Sequence, residues 1–324
     1  MYILSSSPHA HAKSSVSGIM LDVIIALLPA LCCSVYFFGL RSLMLTAVTV
    51  AACVTTEALC RLAMKRANTI GDFSAVLTGL LLALNLPPTL PLWMAAVGGV
   101  FAIAVAKQVF GGLGYNPFNP ALAARAFMLI SFSEAMTTWT ASAWKTAAGA
   151  LDAATTATPL SLLKTFNPNN SSFLIPNSSF IQNAFLGNIN GSLGEVSALA
   201  LLLGGVYLLY RRVITWHIPV AFLGTMAAFA FFAYGMNLNA LKLAEVHLFC
   251  GGAVLGACFM ATDYVTSPIT AKGKLIFGCG CGLLTMLIRL YGAFPEGVSF
   301  AILIMNAFTP LISRYTQPKP FGAK

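Results

Sequence analysis

Ten apolar stretches follow one another along the chain: Met20–Gly39, Ser42–Ala63, Phe73–Leu86, Leu92–Phe110, Pro120–Phe132, Leu193–Tyr210, Ile214–Tyr234, Val246–Thr262, Gly273–Tyr291 and Val298–Ser313. A helix of about 20 apolar residues crosses a hydrocarbon core of about 30 Å and satisfies its own backbone polar groups. Most of the ten approach that length. The third and fifth are shorter and suit half-helices, or helices packed inside a bundle. The pattern predicts an all-α polytopic membrane protein of about ten transmembrane helices.

Composition agrees. Hydrophobic residues are 58% of the chain and charged ones 8%, where a soluble domain carries about 25% charged. That excludes a soluble enzyme, a disordered tail and a secreted disulfide scaffold. The net charge of +9 does not indicate nucleic acid, because the Lys and Arg are scattered at span ends instead of forming a patch. Their placement sets the orientation. Ten spans put both termini on one side. If that side is cytoplasmic, its ends carry twelve Lys and Arg against three opposite, or six with the long loop counted. Basic residues gather on the cytoplasmic side. Both termini are therefore expected in the cytoplasm and residues 133–192 outside, in the periplasm of a bacterium whose inner membrane holds the chain. The leader, with a single Lys, does not read as a cleavable signal.

The chain thus divides into a leader (1–19), a five-span half (20–132), the outer loop (133–192), a second half (193–313) and a tail (314–324). The halves share their punctuation. Asn85-Leu-Pro-Pro88, Gly111-Gly-Leu-Gly114 and Asn116-Pro-Phe-Asn-Pro120 in the first correspond to Asp263-Tyr-Val-Thr-Ser-Pro268, Gly292-Ala-Phe-Pro295 and a short final helix in the second. Asn85 to Phe127 is 42 positions and Asp263 to Phe308 is 45. An odd number of spans per half makes the two repeats inverted, and such folds carry broken helices whose free backbone groups serve ions or polar groups. Gly252…Gly256 and Gly278…Gly282 offer small-residue steps for close helix packing.

A charge at mid-bilayer costs at least about 2.5–3.5 kcal/mol, so it needs a cavity or a partner. Glu57 and Asp263, with Asn85 at the first break, are candidates for an ion pathway. For Glu57 an ion pair with Arg61, four residues on along one helix face, is an equal reading. For Asp22, Lys107 and Arg289, snorkelling or pairing at a span end is preferred. The eight cysteines all lie in apolar stretches without a CxxC pair and read as packing residues, the alternative being an interfacial ligand shared with another subunit. His9 and His11 in the leader read as a surface or partner contact, with no third ligand for a metal.

The outer loop contains Asp152-Ala-Ala-Thr-Thr-Ala-Thr158-Pro159-Leu160. It resembles the Dxx[ST]xAT signature at which flavin transferases esterify FMN phosphate onto the last Thr. Asp152, Thr155, Ala157 and Thr158 are the matching positions, and Thr156 stands where Gly is commonest. In an Ala- and Thr-rich loop, composition alone can also produce such a match. The chemistry asks for an accessible hydroxyl on an outer segment, which Pro159 biases towards an extended conformation.

Further resemblance lies in Ser7-Pro-His-Ala-His11, Ala26-Leu-Leu-Pro-Ala30, Gly111 to Ala121 and Thr262 to Pro268, which are similar to the D-subunit family of the Rnf complex. The corresponding membrane component of the sodium-pumping NADH:quinone reductase is its close relative, with a usually longer N-terminal extension. The resemblance implies a membrane-embedded subunit of a complex that couples ferredoxin–NAD electron transfer to Na+ or H+ movement. It implies FMN on Thr158, a second noncovalent flavin (riboflavin or FMN) among the helices, a flavin transferase for maturation, and the other Rnf subunits (A, B, C, E and G) as partners. The chain alone carries no nucleotide-binding fingerprint, so activity is expected of the complex. Trp139, Trp144 or Phe166 would stack on a flavin ring, or equally sit at the membrane interface. The rival readings are a flavin-free channel or secondary transporter for a small solute, and a purely structural assembly subunit.

Overall fold

The computed structural model describes residues 15–67, 69–139, 158, 160–161, 163, 178–187, 189–195, 197–292, 294 and 296–318. His9, His11, Trp144, Asp152, Thr155, Ala157 and Phe166 lie outside them. Among the described residues all regular structure is helical. The first half holds α1 (Val16–Phe38), α2 (Leu40–Ala63), α3 (Ser74–Leu84), α4 (Leu92–Ile103, continued by a π-helical turn over Ala104–Gln108) and α5 (Pro120–Ser131). Two short helices follow, α6 (Ser133–Thr137) and α7 (Ser178–Leu186). The second half holds α8 (Ala198–Tyr210), α9 (His217–Ala233), α10 (Leu238–Phe249), α11 (Ala253–Leu255, continued by a π-helical turn over Gly256–Met260), α12 (Ala271–Tyr291) and α13 (Val298–Thr316).

Helices α1, α2, α12 and α13 are each long and apolar enough to cross a membrane; α10 with α11 is a span bent by 63°, and α3, α4, α5, α8 and α9 are shorter apolar helices. These match the ten apolar stretches one for one. The protein is a polytopic, all-α membrane protein, with short apolar helices at the third and fifth positions as expected.

The eighth span departs from the sequence reading. It begins at Leu238 instead of Val246 and breaks over Cys250–Gly252, where Gly251 takes φ +79°. Lys242 and Glu245 dilute the hydropathy of α10, so an apolar run misses its first two turns. The outer loop also contains regular structure, in α6 and α7, where none was expected.

Contacts repeat between the halves. In each, the second helix packs on the third and fourth, and the fourth packs on the fifth; α1 packs on α8 and α5 on α13. Five crossings per half reverse the second copy relative to the first. The step Gly278…Gly282 lays α12 on α9: a Cβ on Gly282 would stand 2.5 Å from the Phe222 carbonyl oxygen, and one on Gly278 2.9 Å from that of Ile218.

Candidate functional site at the broken helices

The half-helix α3 ends at Asn85, whose Nδ2 donates to Met260 Sδ, at the end of the π-turn that continues α11, at 3.6 Å. Helix α3 starts at a cavity between the halves, where Asp72 Oδ1 accepts from the N–H and hydroxyl of Ser74 at 2.9 and 2.6 Å. It ends at Asn85, beside Arg125. Helix α11 starts next to Gly252, which also faces Arg125, and its π-turn leads to Asp263 on the cavity.

A helix that stops inside an apolar bundle leaves carbonyls that water cannot reach. Those of Leu84 and Leu86 accept from the backbone N–H groups of Gly194 and Leu193, at 2.7 and 3.1 Å, in the segment that joins the halves. At the other break, Met260 O accepts from Asn119 Nδ2 at 3.3 Å, while Asn119 Oδ1 accepts from the N–H groups of Ala121 and Leu122. Asn at the N-cap with Pro120 at the first helical position is a strong helix start. One side chain thereby closes a helix of each half.

Two buried charge clusters flank this pair. On the cavity side, Lys107 Nζ donates to both oxygens of Glu57 at 3.0 Å and to Ser74 Oγ at 2.6 Å. Gln108 Nε2 and Thr69 Oγ1 also donate to Glu57, each at 3.0 Å. Glu57 therefore pairs with Lys107, not with Arg61, and Lys107 points inward at 1% exposure instead of snorkelling. The π-helical turn carrying Lys107 turns it towards α2, a placement that one-dimensional spacing does not reveal.

In the opposite cluster, Arg125 NH1 donates to Asn85 Oδ1 at 2.7 Å, and NH2 bonds Glu296 and lies 3.6 Å from Glu195. Arg289 donates to the carbonyls of His247 and Cys250. Lys107 and Arg289, each in the last turn of its half's fourth span, thus both reach the start of that half's broken helix. Asp22 pairs with Arg211 at 3.0 Å. Glu195 lies inside the sixth apolar stretch, Leu193–Tyr210, and Glu296 just ahead of the tenth; an acidic side chain at these places is their only sequence signal.

Of the three ion-pathway candidates, Glu57 and Asn85 are engaged by cations. Asp263 has no ion pair among the described residues; its carboxylate accepts from the Val265 N–H and the Thr266 hydroxyl. It lines the cavity with Lys107, Asn116 and Asn119 and with apolar walls from Ile19, Leu77 and Phe259.

Thr158 is buried at 6% exposure, whereas an accessible hydroxyl was expected. Its Oγ1 accepts from the Ser161 N–H at 3.2 Å, as an N-cap side chain does, and Leu160 packs against Val246 and Cys250 beside the eighth-span break. Thr158 and Leu160 are both buried against the membrane domain, Leu160 in the apolar cluster with Val246 and Cys250. The described cysteines are all free; Cys279 is exposed and Cys281 buried, on opposite faces of α12.

The whole chain has relatives. A D subunit of a Na+-translocating ferredoxin:NAD+ oxidoreductase complex from Acetobacterium woodii is 50% identical over 319 residues, covering 98% of this chain and 95% of that protein. A D subunit of a proton-translocating complex of the same name from Clostridium ljungdahlii is 45% identical, over 100% of this chain and 97% of that protein. One of an ion-translocating oxidoreductase complex from Escherichia coli is 37% identical, over 99% of each. The family model for NQR2, RnfD and RnfE matches residues 3–322. A bilayer-spanning repeat with two broken helices, matched along its whole length in this way, belongs to the NQR2, RnfD, RnfE family.

Proposed function

We propose that this chain is the flavin-carrying membrane core of an Rnf-type complex, with FMN held on Thr158 by a phosphoester and electron flow between ferredoxin and NAD coupled to Na+ or H+ movement. The observation that carries the reading is the Asp152–Thr158 signature in a chain whose full-length relatives are D subunits of such complexes. Thr158 is 6% exposed, so the transferase has to reach it before the segment packs down; once formed, the ester oxygen keeps a lone pair for the Ser161 N–H. A bound flavin supplies a group that passes one or two electrons.

The cavity between the halves suits a second, noncovalent flavin. Its apolar walls match a fused ring, while Asn116, Asn119, Lys107 and Asp263 supply polar atoms for a ring edge and hydroxyls. Asp263, free of a cationic partner among the described residues, is the carboxylate best placed to attract a cation. The proposal puts the chain in the inner membrane with both termini in the cytoplasm, assembled with the other Rnf subunits.

The test is a denaturing gel of protein made in cells that contain the transferase. Wild type should fluoresce under ultraviolet light and Thr158→Val should be dark. A dark wild-type band, with an unmodified mass for the peptide that contains Thr158, removes the proposal.

A further inference from the structure

Two carboxyl groups far apart in sequence meet beside Arg125. Glu195 stands just ahead of α8 and Glu296 just ahead of α13, and their side chains are within hydrogen-bond reach of one another. Donors for them are scarce. Arg125 spends NH1 on Asn85 Oδ1; its NH2 bonds Glu296 and stays 3.6 Å from Glu195. Arg289, the second cation here, gives NH1 and NH2 to the carbonyls of His247 and Cys250. The Ser192 N–H donates to Glu195 Oε2 at 3.3 Å. Glu195 Oε1 is left without a hydrogen-bond donor among the described residues, in a side chain 2% exposed.

Ionised carboxylates are acceptors only, so two of them cannot hydrogen-bond each other. Held close in a buried site, like charges also favour keeping a proton on one. We propose that Glu195 and Glu296 form a proton-binding pair, with one proton held between their carboxyl groups at the end of the membrane domain that the 133–192 segment joins. Binding takes a proton from solvent and makes one O–H bond; it supplies the donor that Glu195 lacks and leaves one negative charge for Arg125. Glu296, with 12% of its side chain exposed, is the partner through which the proton enters and leaves. The groups facing the pair are Arg125 of α5, Arg289 of α12 and Cys250 between α10 and α11. His247 of α10 lies next to Arg289, with its Nε2 on the Tyr234 hydroxyl of the α9 end at 3.1 Å. Because Arg125 also holds Asn85, the pair sits one side chain away from the end of α3. Its use in ion movement rests on the reading of the chain as part of an ion-moving complex; the binding of the proton does not.

Infrared difference spectra of the purified complex, taken between mildly acidic and mildly alkaline buffer, read the pair without any electron transfer. Wild type should lose the C=O stretch of a protonated carboxyl as the pH rises, Glu195→Gln should lack that band, and Asp263→Asn should keep it. Identical spectra for wild type and Glu195→Gln overturn the pair. So does loss of the band when Na+ replaces K+ at constant pH, which would put a metal ion there instead. Thermal melting gives a second reading, because Gln imitates a protonated Glu: it carries no charge and can donate to Glu296. A carboxyl protonated in the fold but ionised when unfolded contributes stability that is lost as pH rises. Glu195→Gln should therefore melt with wild type in the acidic buffer and above it in the alkaline one. A variant that melts below wild type in both shows an ionised Glu195 held by Arg125 and removes the proposal. Wild-type proteoliposomes that move no ion would sink the ion-moving reading, and the infrared band then judges the pair by itself.

Discussion

Glu57 illustrates how much one buried side chain demands. It lies at 0% exposure and accepts from Lys107, Gln108 and Thr69. Breaking a buried pair leaves an uncompensated charge, at a cost of about 3–5 kcal/mol. Lys107→Met should lower the thermal stability of the detergent-extracted complex by that much, and adding Glu57→Leu should recover most of it. A double-mutant cycle on the melting free energies checks this. Asp263 gives a different expectation, because no cation holds it. Asp263→Asn should reduce ion transport per electron in proteoliposomes while part of the electron transfer persists; an unchanged ratio excludes Asp263 from coupling. That Glu57 and Lys107 each needed a partner was legible in the sequence, since lone charges in apolar runs are costly. Who pairs with whom was not, because the partners stand 50 positions apart and meet only through the packing of α2 on α4.

Helix packing provides a matched contrast within α12. A Cβ on Gly282 meets the Phe222 carbonyl oxygen at 2.5 Å, a backbone atom that cannot retreat, while one on Gly280 meets the flexible Met305 side chain at 2.4 Å. Overpacking a rigid contact costs about 1–3 kcal/mol. Gly282→Ala should therefore lower the melting temperature clearly more than Gly280→Ala; equal effects would show that α12 and α9 can separate freely. The sequence announced this contact through its four-residue glycine spacing, as it announced the α5 start through Asn119 and Pro120. It hid the start of the eighth span, because α10 carries Lys242 and Glu245 among its apolar residues. It also hid the burial of Thr158 and Leu160, because Leu160 packs on Val246 and Cys250, partners far along the chain.

Across the whole molecule, ten spans and the skew of Lys and Arg argue for both termini on the cytoplasmic side of the membrane and the 133–192 loop on the other. Reporter fusions at residue 1, within 140–157 and at residue 324 should read cytoplasm, periplasm and cytoplasm. A periplasmic signal at either terminus would reverse the charge argument. The ten-part pattern and the repeat were visible as periodicity and punctuation; the mutual closure of the halves was not, since Asn119 and Gly194 look local in one dimension. The Gly194 contact has a consequence for biogenesis. Until the ribosome has delivered residues 193 and 194, the carbonyls of Leu84 and Leu86 have no donor, and in lipid each such group costs several kcal/mol. The N-terminal five spans cut off before that point are thus an unfinished object, prone to degradation, whereas two fragments divided within 140–157 retain every closing contact and can reassemble when co-expressed.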